Sequence, residues 1–226
     1  MKVLLTILTA CGLMLGAKNQ QAEAVKRLTA SKEVLTDALN AGDKSIPRDL
    51  IEKAHCIAII PSMKQGGFIV GAKYGKGVMF CRKESGGWRG PATVRIEGGS
   101  FGLQIGAGEA DVIMLVMNKT GAEKILKNEF KLGANAGVMA GPLGRTAQAE
   151  TDVFMRAEIL GYSRSRGVFA GISLDGSTLR EDLDDNAKLY GKKLSNEQIL
   201  LEARPTPAVA RPLRNMLNQI STWEKK

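Results

Sequence analysis

The sequence feature that most restricts the fold is a recurring bracket of glycines around short apolar runs. Gly66-Gly67-Phe68-Ile69-Val70-Gly71, Gly102-Leu103-Gln104-Ile105-Gly106, Gly137-Val138-Met139-Ala140-Gly141 and Gly167-Val168-Phe169-Ala170-Gly171 all carry it. Glycine weakens a strand interior, so its repeated use needs a cause: sharp sheet curvature, or one strand pressed closely on another. A helical bundle has no use for such a pattern. The abundance of glycine (26 residues) beside only 5% aromatics agrees with strands and tight turns.

From His55 onward, HCIAIIP, GGFIVGAKYG, GVMFCRKE, GWRGPATVRIEGG and SFGLQIGAGEA read as short strands bounded by glycine or proline. ADVIMLVMN is apolar throughout and reads as a central strand. Further strands are expected in LGANAGVMAGPLG, DVFMRAEILGYSRS and RGVFAGISLDG. Helices flank this block. Residues 25 to 41 repeat Leu28, Leu35 and Leu39 at helical spacing, and Pro47 opens a short second helix. KTGAEKILKN forms a third, with Ala122, Ile125 and Leu126 inward. The tail reads as helical from Leu179 to Tyr190, again in NEQILLEA capped by Ser195, and last along a stripe of Leu213, Met216, Leu217 and Ile220 ending at Trp223. The expected fold is α+β: a curved, glycine-rich antiparallel sheet or barrel with N-terminal and C-terminal helices.

The first residues read as a targeting segment. Lys2 is followed by an apolar run from Val3 to Ala17 and then by Ala22-Glu23-Ala24, a small-x-small site. The run is shorter than the roughly 20 residues a spanning helix needs. Residues 1–24 are therefore expected to be a secretory signal. Leu8-Thr9-Ala10-Cys11 offers a second reading, with Cys11 as an acylated lipoprotein residue. Retention as an uncleaved anchor is a third reading, and all three export the domain to a periplasmic or membrane-associated site. Two cysteines then remain, Cys56 and Cys81, each in a strand-like segment; they form a disulfide or stay as buried thiols.

The inventory of reactive groups is thin. His55 is the single histidine, and it sits at the edge of an apolar run. No Gly-x-Ser-x-Gly elbow occurs. Gly75-Lys76-Gly77 lacks the frame of a phosphate loop, and EDLDDN lacks the central glycine of a calcium loop. No catalytic residue, metal site or cofactor is expected, and EDLDDN reads as a solvated helix start. The net charge of +9 favours anionic surfaces, but scattered basic residues and scarce aromatics give no nucleic-acid platform. The stretch EILGYSRSRGVFAG, residues 158–171, puts Arg164 and Arg166 on one strand face. Exposed, they form a phosphate-binding pair. Buried, they need Glu158 or the acids near 181–185 as partners.

IPRDLIEKAHCIAIIPSMKQGGFIVGAKYGKGV, GGWRGPATVRIEGGSFGLQIGAGEADVIMLVMN, AEILGYSRSRGVFAGISLDG and NAKLYG, in that order, resemble the SYLF domain, also called the Ysc84 or DUF500 domain. The resemblance runs over 25–191 and leaves 192–226 as a C-terminal helical extension. It implies a non-enzymatic domain that binds phosphoinositide or other anionic lipid and, in eukaryotic members, actin. Bacterial members look like exported stand-alone domains. Export makes an actin partner unlikely and leaves anionic phospholipid. The basic amphipathic helix at the start of the family's domain matches Lys26, Arg27 and Lys32 here, and Arg166 is a further candidate for lipid contact. The alternatives are an envelope structural or protein-interaction module, or a carrier with an internal hydrophobic pocket.

Overall fold

The computed structural model describes residues 22–67, 70–101, 106–127, 129–133, 137–144, 154, 157–202 and 204–221. Residues 1–21, with Cys11, and the terminal Trp223 lie outside the described residues, as do parts of the first two glycine brackets.

Among the described residues, nine strands form one strongly curled sheet, a half-barrel. They are β1 (Cys56–Gly67), β2 (Val70–Arg82), β3 (Trp88–Phe101), β4 (Gly106–Val116), β5 (Glu129–Lys131), β6 (Val138–Ala140), β7 (Ile159–Ser165), β8 (Val168–Gly171) and β9 (Ser177–Glu181). Their order is β5-β9-β3-β2-β1-β4-β7-β6, with β8 also on β7. The expected α+β class and curved sheet are thus present, and ADVIMLVMN is an internal strand paired on both sides. One pair departs from the antiparallel expectation: β6 runs parallel to β7. The helices are α1 (22–40), α2 (Arg48–Lys53), α3 (Lys119–Ile125), α4 (Leu183–Tyr190), α5 (Asn196–Leu200) and α6 (Arg211–Ile220).

The strands are long because β1 does not stop at its proline. Pro61 has no N–H to give a ladder, and the register slips between Ile60 and Met63 as in a bulge. The strand then resumes to Gly67. The bulge divides the sheet. Before it, both faces are apolar and covered. On one face Ile57, Ile59, Val78, Phe80, Ile113 and Leu115 pack under α1, α2 and α6. On the other, Ala58, Met79, Val94, Met114 and Phe130 pack with residues of α3 and α5. Gly77 permits a close approach of backbone to backbone. A Cβ there would stand 2.2 Å from the Ile59 carbonyl oxygen, so β2 can press on β1 only without a side chain. Gly141 and Gly171 act likewise: a Cβ would meet the Tyr162 ring at 2.1 Å and the Gly141 carbonyl at 2.2 Å. The architectural reading of the glycines holds at these positions.

Cys56 and Cys81 are directly opposed in the β1–β2 ladder and disulfide-bonded, with Cα atoms 4.0 Å apart. Beside them, Arg82 donates to the carbonyls of Ala54, Ile51 and Glu52 at the end of α2 and to Ser221 beyond α6. One guanidinium therefore closes two helices, and it lies 4.4 Å over the Trp88 ring.

The tail differs from its expected form. Leu179 is not helical: Ser177–Glu181 is β9, because Leu179 faces Ile96 on one neighbour and Phe130 on the other. The helix starts only at Leu183, capped by Asp182. Ser195 does cap α5, through a reciprocal capping box with Gln198. Leu213 and Leu217 dock the last helix, as the apolar stripe required.

Candidate functional site

Helix α1 crosses the covered face at its border. It turns Leu28, Val34, Leu35 and Ala38 inward, all at most 2% exposed. Near its start, Arg27 donates to Asp185 at 2.5 Å; near its end, Asp37 pairs with Arg164. Ten residues of helix rise about 15 Å. The step from β2, whose Lys76 also holds Asp185, to β7, which carries Arg164, is three strand spacings or about 14 Å. The helix thus lies across β2, β1, β4 and β7 and is tied at both ends. Burial of its four apolar side chains contributes on the order of 5 kcal/mol or more. Two exposed lysines gain only about 2 kcal/mol at an anionic surface. Electrostatic contact alone therefore does not detach the helix.

Asp182 and Asp185 are buried, which corrects the reading of EDLDDN as a solvated helix start. Asp185 accepts from Arg27, from Lys76 at 3.2 Å and from Lys188 at 2.6 Å. Burial raises the pKa of Asp185, but Lys188, Arg27 and Lys76 outweigh it and hold the group at about 2. Gly75 and Gly77, on either side of Lys76, let β2 press on β1: a Cβ would meet Ile60 at 2.7 Å and the Ile59 carbonyl oxygen at 2.2 Å, respectively.

The candidate lipid residues fall into different surroundings. Lys26 and Lys32 are exposed on α1, whereas Arg27 is spent on Asp185. The polar surface of α1 also carries Glu23, Glu33 and Asp37. Residues 22–54 as a whole hold six basic and six acidic side chains, so this region is not basic. Arg164 and Arg166 do not share a face as expected. Arg166 leaves the strand in a left-handed turn, φ 51°, and is exposed. Arg164 is compensated by Asp111 at 2.7 Å and by Asp37, not by Glu158 or the 181–185 acids. Burial works against its charge, yet the hydrogen bonds it donates to Asp111 and Asp37 raise its pKa. Glu158 instead pairs with Lys124.

Beyond the bulge much of the sheet is open, although Met63 and Ala110 stay buried. Lys64, Ala72, Tyr74, Gly99 and Glu109 are exposed there, and Tyr74 is 46% accessible. A shallow cleft of about 190 Å³ opens at this end, lined by Ser62, Glu109, Ala110, Asp111, Arg164, Arg166 and Gly167. Its floor is β4, and its walls are the β1 bulge and the β7–β8 turn. Sequence reasoning flagged Arg164 and Arg166. It missed Ser62, Glu109 and Asp111, because the bulge that brings them together follows from strand pairing.

The family model described as "Ysc84: Las17-binding protein actin regulator" matches residues 97–220, more than half of the chain. The chain is 34% identical over 205 residues to the rat "SH3 domain-containing YSC84-like protein 1" and 33% identical to its human counterpart. These matches take in 90% of this chain and 59% of each relative. It is 32% identical over 196 residues to "LAS seventeen-binding protein 3" of Saccharomyces cerevisiae, covering 85% of this chain and 42% of that protein. The chain spans about half the length of the curated relatives it matches. With nearly its whole length aligned at a third identity, and the curled sheet formed by the very motifs that carry the likeness, the chain belongs to the Ysc84 (SYLF-domain) family.

Proposed function

We propose that this domain is a non-enzymatic binding module that docks on anionic phospholipid at the extracytoplasmic face of a membrane. The distribution of charge carries this reading. Residues 55–101, which form β1 to β3, hold seven basic against two acidic side chains, while 22–54 balance to zero. Lys76, Arg82 and Arg95 are engaged in internal pairs or caps. Lys64 and Lys73 lie beyond the bulge, close to the end of the β1–β2 hairpin and on opposite faces of the sheet. Tyr74 stands beside them, an amphipathic ring of the kind favoured at membrane–water interfaces. The hairpin end meets the headgroups edge-on, and α1 stays docked.

Sedimentation with vesicles of phosphatidylcholine, with and without phosphatidylglycerol, tests this. Each lysine near an anionic surface contributes about 1 kcal/mol, so Lys64→Gln/Lys73→Gln together weaken binding roughly 30-fold at low salt. Lys26→Gln/Lys32→Gln weaken it less. A loss confined to the second pair moves the contact to α1. Parent protein that ignores phosphatidylglycerol ends the lipid reading.

A second reading is a protein-interaction module. It draws on the yeast relative named for binding LAS seventeen, and on Met139 and Val168, exposed by 37% and 58% on the terminal strands of the sheet. An exported chain would meet envelope proteins there rather than actin regulators.

A further inference from the structure

We infer that the cleft between the β1 bulge and the β7–β8 turn binds a small zwitterion in which a phosphate and a primary ammonium are joined by a short linker, as in phosphoethanolamine, free or as a lipid headgroup. Backbone conformation marks the place. Among the described residues, Ser62 (φ 48°) and Arg166 (φ 51°) are the non-glycine residues with positive φ, and both line this cleft. Such conformations cost on the order of 1 kcal/mol each and persist where the surroundings fix them. Here Asp111 fixes the first wall. It accepts the Ser62 N–H at 2.9 Å through one oxygen and Arg164 at 2.7 Å through the other.

The charges then select the ligand. Arg164 is already neutralised by Asp111 and Asp37 and has little to offer a third anion. Arg166 and Glu109 are exposed, and neither has an ion-pair partner among the described residues. Asp111 is opposite Arg164, so two residues further along β4 Glu109 comes level with the turn at Arg166. On its other side Glu109 is opposite Lys64. An open carboxylate therefore lies between two open cations. A simple phosphate meets Glu109, and a simple amine meets Arg166 and Lys64. A molecule bearing both groups satisfies Arg166 and Glu109, the two open charges that line the cleft. The guanidinium fork suits phosphate oxygens, and an ammonium with N–H donors suits Glu109. The cleft is shallow and its walls mostly polar, which suits a headgroup-sized molecule and not an acyl chain. Where the source is a lipid, the inference rests on the membrane reading above; for a free ligand it stands alone.

The test has two arms on the full chain. Phosphoethanolamine is titrated while backbone amide resonances are followed. The expected shifts lie at Ser62, Glu109, Arg166 and Gly167. Glu109→Gln and Arg166→Asn, the latter chosen because asparagine tolerates the left-handed turn, should each weaken binding about ten-fold with unchanged melting temperature. Inorganic phosphate and ethanolamine alone should bind about ten-fold more weakly than the joined molecule. In the second arm, phosphatidylethanolamine replaces phosphatidylcholine at fixed phosphatidylglycerol. Parent binding should rise, and Glu109→Gln should not respond. Equal binding of inorganic phosphate, shifts away from the cleft, or variants that bind like the parent overturn the inference. Binding to anionic vesicles without any response to free or lipid phosphoethanolamine sinks the cleft and keeps the membrane reading. Binding of free phosphoethanolamine with no vesicle binding does the reverse.

Discussion

Strands β1 to β4 pass through two environments, and the two halves of the same strands are held by different means. Before the bulge, Ile57, Ile59, Met79, Phe80, Val112 and Ile113 are fully buried, with apolar side chains on both faces. Beyond it, Lys64, Gly66, Ala72, Tyr74, Gly99 and Glu109 stand open to solvent in an unbroken backbone ladder. The covered half gains from burial, and every side chain there is fixed by its neighbours. The open half is carried by hydrogen-bonded pairing and by its attachment to the covered half. Apart from Met63 and Ala110, which stay buried, the side chains that stand open there are free of packing duty, so they are the ones available for recognition. Glycine also means different things in the two halves. In the covered half it removes a clash, and in the open half it leaves smooth surface.

The largest effect that separates the halves is a single methyl group. Gly77→Ala places a Cβ 2.2 Å from the Ile59 carbonyl, against backbone that cannot give way cheaply. It should cost about 3 kcal/mol. Gly108→Ala lies in the open half and meets nothing within 4 Å. It should change stability by less than about 0.5 kcal/mol. Urea unfolding of both variants reads the difference. Equal losses would mean that the ladder beyond the bulge is packed as tightly as the core, and the distinction would fall.

The covered half was largely legible in the sequence, and the open half was not. Alternating and continuous apolar runs marked β1 and β4, and the helical spacing of Leu28 and Leu35 marked α1. Glycine spacing predicted curvature, and the paired strand contexts of Cys56 and Cys81 suggested adjacency. All of these are local or periodic signals. What the sequence hid depends on register. Leu179 looked helical because its strand is short and polar, and its two partners lie 83 and 49 residues away along the chain. The partners of Arg164 are 53 and 127 residues distant, so no local pattern announces them. Pro61 read as the end of a strand, whereas the sheet absorbs it in a bulge. The buried acids at 182 and 185 read as solvated, because Arg27 and Lys76 reach them from separate elements.

A smaller effect concerns the tie between α1 and the border of the covered half. The pKa of Asp185 is depressed in the folded chain to about 2, below the ordinary carboxylate value of about 3.9. Its contribution is therefore complete above roughly pH 4 and is lost as the pH falls through about 2. The shift corresponds to about 2 kcal/mol at neutral pH for this side chain, which is 3% exposed. Asp185→Asn should lower stability by that order at pH 7, and the gap from the parent should close as the pH approaches 2. Melting curves from pH 7 to pH 2 follow both chains. A gap that stays constant with pH would mean that packing, not charge, ties the helix down.

The smallest expected effect on stability is also the sharpest statement about the open half. Lys64→Gln/Lys73→Gln removes two cations beyond the bulge, neither of which closes a described ion pair. Lys64 is exposed and Lys73 half-buried, and surface charges of this kind are screened within about 10 Å at 0.1 M salt and contribute little to folding. The double variant should therefore unfold within about 0.5 kcal/mol of the parent. The same two changes should cost vesicle binding about 30-fold at low salt, and added salt should remove most of that difference. In the covered half the order is reversed: Gly77→Ala alters stability and leaves the charged end of the hairpin as it was. Stability measured beside binding for these two variants forms a crossed comparison. If the lysine pair costs as much stability as the glycine, its side chains are structural after all, and the hairpin end is an extension of the core rather than a surface for recognition.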